Sequence, residues 1–284
     1  MSDKKDLMRV GNSIGLIGFL SFIVQIIITF ILAVIKCVDI LLNRGILSGN
    51  RVFNLFGSEI YDFITSIPAL FIITFGTNIV LMTVAYYLIK EKENAMVRRD
   101  IDITSIQYLS YKSVRGEANT KIFTKLFPAE KIGFKRFITA VFTIILAGVC
   151  GLVVTYFLNI ILYFFGIEIN SPSLGNPSGV IETVIFFIMI SIIPSIFEEG
   201  LYRGYLTYMT APYGVGVTSI ISGLTFALVH GNLAQMPLAF FFGASAGYFM
   251  YIYKNIWIAV VAHFINNAFS SIMTIITDST LSGG

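Results

Sequence analysis

The chain has 284 residues, of which 56% are apolar and 12% charged, with a mean hydropathy of +0.83. Soluble domains carry about 25% charged residues, so half the usual charge is missing and a water-soluble globule is excluded in favour of a polytopic membrane protein. The net charge of +3 is too small to support nucleic-acid binding, and its placement along the chain matters more than its sum.

A membrane span needs roughly 20 apolar residues. In chain order the predicted spans cover about 13–35, 64–89, 137–165, 179–209, 215–231, 235–253 and 256–277. The first follows a polar N-terminus carrying Lys4, Lys5 and Arg9. It is too long for a signal-peptide core and lacks a small-residue cleavage site, so it reads as an uncleaved span. The stretch 37–62, with Asp39, Arg44, Arg51, Glu59 and Asp62, either lies at the interface or extends the first helix. The expected fold is therefore an all-α membrane bundle of about seven to eight helices, without internal repeats. It divides into 1–136, N-terminal spans and a basic loop, and 137–284, a membrane core. Cys37 and Cys150 are far apart, lack C-x-x-C spacing, and read as free, buried thiols.

The loop 90–136 holds Lys90, Lys92, Arg98, Arg99, Lys112, Arg115, Lys121, Lys125, Lys131, Lys135 and Arg136, whereas 166–178 holds no Lys or Arg. The positive-inside bias puts loop 90–136 and the N-terminus in the cytoplasm. That loop reads as a partly ordered surface segment. The fourth span follows the turn-rich Asn170–Pro177 and contains Pro194, which frees a backbone carbonyl and predicts a kink one turn before Glu198.

Ionisable residues in spans are expensive and mark functional sites by default. Glu198, Glu199 and Arg203 lie late in the fourth span. Glu199 and Arg203 are four apart, share a helix face and can pair. Glu198 is rotated by about 100° and points elsewhere, which leaves it for proton transfer. The plain alternative is that the three charges mark a span end. Hairpin geometry argues against it. The turn near 213 puts Glu198 and His230 at similar depths, roughly 22 Å and 26 Å at 1.5 Å per residue. His263 and Asn267 share one side of the last span, as catalytic groups or as interhelical hydrogen-bond partners. A carboxylate–imidazole pair can take a proton from water while a donor pair stabilises an oxyanion. Glu198, His230 and His263 can equally serve as three zinc ligands. Small residues at Gly200 and Gly204, and at Gly243, Ala244, Ser245, Ala246 and Gly247, predict close helix approach.

The motifs Glu198-Glu199-x-x-x-Arg203, Phe226-x-x-x-His230 and His263-x-x-x-Asn267, in that order on late spans, resemble the CPBP family of intramembrane proteases, which includes type II CAAX prenyl endopeptidases and bacterial Abi or bacteriocin-immunity proteins. The resemblance covers about 179–277. It implies that Glu198 and His230 activate water, that His263 and Asn267 form an oxyanion hole, and that Glu199 and Arg203 organise the site. The family is often labelled metalloprotease, but a Glu/His mechanism without tightly held zinc fits these residues equally well. The implied partners are membrane lipid and a peptide or protein substrate, prenylated or not. The alternatives are a non-proteolytic immunity or scaffold protein of the same fold, and a proton-coupled transporter, for which inverted repeats are expected and not found.

Overall fold

The structure is a computed structural model that describes residues 4–43, 66–98, 122–167, 177 and 179–281. The described parts of the predicted spans are helical apart from one or two residues at some ends, and the described residues contain no strand. Helix α1 is Lys4–Asn43, α2 is Ile67–Arg98, α3 is the short Ile122–Leu126, and α4 is Phe134–Phe164. Helix α5 is Gly179–Tyr213, α6 is Val215–Val229, α7 is Met236–Tyr253, and α8 is Trp257–Leu281. The first helix absorbs the stretch after residue 37 as far as Asn43. The remainder of 37–62 lies outside the described residues, as do most of 166–178 and the middle of the basic loop.

Among the described residues, five helices are long and apolar enough to cross a membrane: α4, α5, α7, and the apolar parts of α2 and α8. Helix α6 is the departure from expectation. Its 15 residues give about 22 Å, short of the roughly 30 Å hydrocarbon core. The helix stops because His230 turns out of it as the C-cap and Gly231 follows at φ 59°. The outer face of α4 exposes Phe142, Leu146, Val149 and Val153, as expected where lipid is the solvent. Cys150 is exposed on the same helix. It is therefore not the buried thiol expected from sequence: an apolar run in a span buries only the stripe facing its neighbours.

Close approach is built where glycines were expected to allow it. A Cβ on Gly223 of α6 would stand 2.7 Å from the Phe240 carbonyl oxygen, and one on Gly247 would stand 2.7 Å from Ser222 Cβ. These contacts press α6 against α7. A Cβ on Gly151 would meet Leu238 Cα at 2.5 Å, which seats α7 on α4. The Gly200/Gly204 strip receives a different partner. A Cβ on Gly204 would meet the carbonyl oxygen and backbone of Leu126, and one on Gly200 would reach Phe127 and Met82.

The described end of this loop, which the sequence reads as a partly ordered surface segment, is a docked strap. Its backbone is pinned to the turn between α7 and α8. Glu130 N–H donates to the Lys254 carbonyl at 3.1 Å, and Ile256 N–H to the Pro128 carbonyl at 2.9 Å. The Asn255 side-chain amide donates to the Glu130 carbonyl at 2.7 Å.

Candidate active site

Helix α5 carries the charged motif and is not a uniform α-helix. Ile188–Ile192 and Gly200–Tyr205 are π-helical, and the α-helical Ile193–Glu199 lies between them. π segments are rare and concentrate at functional sites. The first immediately precedes Pro194, where the sequence predicts a kink. Proline has no N–H to offer the carbonyl four residues back, and that carbonyl belongs to Ile190. Asn267 of α8 supplies a donor instead, its side-chain amide reaching the Ile190 oxygen at 3.0 Å.

The pairing expected four residues apart is present. Arg203 Nη1 donates to Glu199 Oε1 at 2.9 Å, with both side chains fully buried. A buried pair of this kind needs further partners to offset desolvation. They come from α6, α7 and α8. The guanidinium stands 4.3 Å above the Phe226 ring centroid and 5.8 Å from that of Phe242. The same Glu199 oxygen accepts from His263 Nδ1 at 2.8 Å.

Glu198 does not point away from this group. Its Oε2 lies 4.0 Å from His263 Nε2. The two adjacent carboxylates therefore flank one imidazole, Glu199 on Nδ1 and Glu198 on Nε2. Angular separation along a helix kept them apart in the sequence reading, but the two edges of a ring from another helix can receive both. Their environments differ: Glu199 is inaccessible to solvent, whereas the Glu198 side chain is 29% exposed.

The bond partners fix the histidine tautomers. A carboxylate and a carbonyl only accept hydrogen bonds, so His263 Nδ1 carries a proton toward Glu199. His230 Nδ1 likewise donates to its own helix, to the Phe226 carbonyl at 2.7 Å. Each histidine is thus held by Nδ1 and offers Nε2 to the site. The Phe226 ring packs edge-to-face on both, its centroid 4.7 Å from that of His230 and 5.7 Å from that of His263. No hydrogen bond or ion pair joins His230 to Glu198 among the described residues.

Asn267 accepts from the Asn266 amide at 3.1 Å and donates one N–H to Ile190. An amide nitrogen has two N–H groups, so one remains for a ligand. The structure therefore gathers Glu198, Glu199, Arg203 and His263 at one point. Phe226 contacts both His230 and His263, and Asn267 lies one turn along α8 from His263.

Phe226 is a contributor to which the sequence assigns no role of its own, and Pro194 contributes the Ile190 carbonyl that its predicted kink frees. The signals were present: Phe226 is four residues before His230, and Pro194 four after Ile190. The conditional zinc set does not fit. Among the described residues no three His, Cys, Asp or Glu side chains form a group that can hold a metal ion. Glu199 already occupies the Nδ1 edge of His263.

Residues 180–269 match the Rce1-like family, described as type II CAAX prenyl endopeptidase Rce1-like. That segment contains all three motifs, and the match supports the CPBP/CAAX protease family that they resemble. No curated protein and no solved structure matches the chain.

Proposed function

From the premise that residues 180–269 fall in the Rce1-like family of CAAX prenyl endopeptidases, we propose that this integral membrane protein is an intramembrane endopeptidase. It hydrolyses a peptide bond in or near the bilayer with a water activated by Glu198 and His230. The observation that carries the reading is the unequal pair of carboxylates on His263: one buried and fixed, the other half-open and 4.0 Å away.

Glu198 takes a proton from water, and the lone pair on His230 Nε2 orients that water by accepting its second hydrogen. The resulting hydroxide adds to the scissile carbonyl carbon. The oxyanion is met by His263 Nε2–H and by the second Asn267 N–H. Donation from Nε2 requires an imidazolium, since Nδ1–H already faces Glu199. Glu198 then passes its proton to the leaving amine, which restores the site. Glu199, Arg203 and Phe226 hold the imidazole in place and do not exchange protons.

The substrate is a peptide or protein segment presented at the membrane, with a prenyl group as the family's name suggests. The Lys and Arg bias places the N-terminus and loop 90–136 in the cytoplasm. The test is comparative proteomics of cells carrying the wild-type chain or Glu198→Gln. A peptide that is cut in the first and intact in the second supports the proposal, and the lipid modification on that peptide identifies the substrate class. Identical peptide profiles, with both proteins equally abundant, contradict it.

A further inference from the structure

A second polar feature lies away from the catalytic group, where the strap meets the α7–α8 turn. A cleft of about 300 Å³ is lined there by Glu130, Lys131, Arg136, Tyr253 and Lys254, with Ile132, Gly133 and Ile252 completing its walls. Three cations thus face one acid. The positive end of a helix adds to them: α4 starts at Phe134 with Gly133 as its N-cap, and no side chain caps its first N–H groups. Such an end attracts anions, phosphate above all.

The cleft is preformed. The strap bonds of Pro128, Glu130, Lys254, Asn255 and Ile256 fix both of its walls. Lys254 adopts φ 52° and ψ 36°, the described residues' only non-glycine with positive φ. A lysine held in the left-handed region is uncommon and costs free energy.

Neighbouring apolar side chains set the depth. Phe134 is 81% exposed beside the cleft. Trp257, the chain's single tryptophan, is 46% exposed three residues beyond Lys254. Exposed aromatic residues at span ends mark the headgroup layer. Basic pockets between spanning helices at that depth suit anionic headgroups.

We propose that this cleft binds the phosphodiester headgroup of an anionic phospholipid, held by Lys131, Arg136, Lys254 and the amino end of α4. A lipid, rather than a free phosphate ester, is the source because the cleft opens beside Phe134, Ile252 and Trp257, against which acyl chains can lie. Occupancy ties the strap to the α7–α8 turn and so braces the helix that carries His263.

Trp257 supplies the probe. The full chain is reconstituted in phosphatidylcholine vesicles, and a brominated phosphatidylglycerol or a brominated phosphatidylcholine is titrated in while tryptophan fluorescence is read. The brominated phosphatidylglycerol should quench at a markedly lower mole fraction. Replacing Lys131 and Arg136 together by Ala should weaken that preference roughly thirtyfold, at about 1 kcal/mol per cation. Lys254→Asn, which tolerates the left-handed backbone, should weaken it severalfold. Lys135→Ala, whose residue does not line the cleft, should leave it unchanged. Equal quenching by the two lipids overturns the proposal. So does an equal loss with Lys135→Ala, which would mean a general surface charge. Full competition by soluble glycerol phosphate at matched ionic strength would assign the cleft to free phosphate esters and overturn the lipid reading.

Discussion

His263 is the residue on which the proposed site depends, because its Nδ1 is fixed by Glu199 while its Nε2 stands 4.0 Å from Glu198. Glu199 is the structural half of that arrangement. Its one oxygen serves both Arg203 and His263, so Glu199→Gln has two effects. It leaves the Arg203 charge buried and unpaired, which costs about 3–5 kcal/mol. It also removes the carboxylate that holds the imidazole by its Nδ1–H. Thermal unfolding of the purified variant should show a large loss of stability, and the additional change Arg203→Met should recover much of it while cleavage stays absent. A stable, fully active Glu199→Gln protein would show that the buried trio is incidental to the site. This pairing was legible in the sequence, because four-residue spacing on a helix permits little else. The approach of Glu198 to the same ring was not legible, since it depends on where α8 places His263.

Helix α5 is shaped by what it must accommodate rather than by propensity. Its π turns bracket the glutamates, and no residue pattern in 188–192 or 200–205 announces them. Pro194 announces only that something must change nearby. The hairpin into α6 was readable from Ala211-Pro212-Tyr213-Gly214, where the helix ends and Gly214 takes φ 93°. The strap was not readable, because its docking on Gly204 is a contact between distant parts of the chain. It yields a sharp expectation. A methyl group at Gly204 would collide with the Leu126 backbone, so Gly204→Ala must displace either the strap or α5. Backbone yields less readily than a side chain, and the cost should be about 1–3 kcal/mol. Gly216→Ala, with nothing within 4 Å of the new methyl, should be neutral or slightly stabilising. Limited proteolysis within 122–133 reads the difference: faster cutting is expected for Gly204→Ala alone. Equal protection in both variants would remove the strap's docking.

At the scale of the whole molecule, composition alone specified an all-helical membrane protein, because 12% charge cannot cover a water-soluble surface. The run of seven predicted spans overstated what α6 does: at 15 residues it is too short to cross unaided. Apolar windows count hydrophobic residues and do not see where a cap such as His230 ends the helix. The bundle brings α5, α6 and α8 together around Phe226, and the proposed mechanism there uses a glutamate and two histidines without a metal. Cleavage should therefore persist after treatment with EDTA or phenanthroline. Complete loss with recovery on adding zinc would replace the proposed water activation with a metal-based one.

The central claim is that side chains from α5, α6 and α8 act on one water. Its most direct test is the turnover of a cleavable peptide, farnesylated and unmodified, by the full chain in proteoliposomes. Wild type is compared with Glu198→Gln, His230→Ala and His263→Ala, each verified as folded by its unfolding midpoint. Each variant should lose at least about 10²-fold in kcat, with at most a small change in KM. Turnover within twofold of wild type in any one of the three would mean that these side chains do not share a reaction.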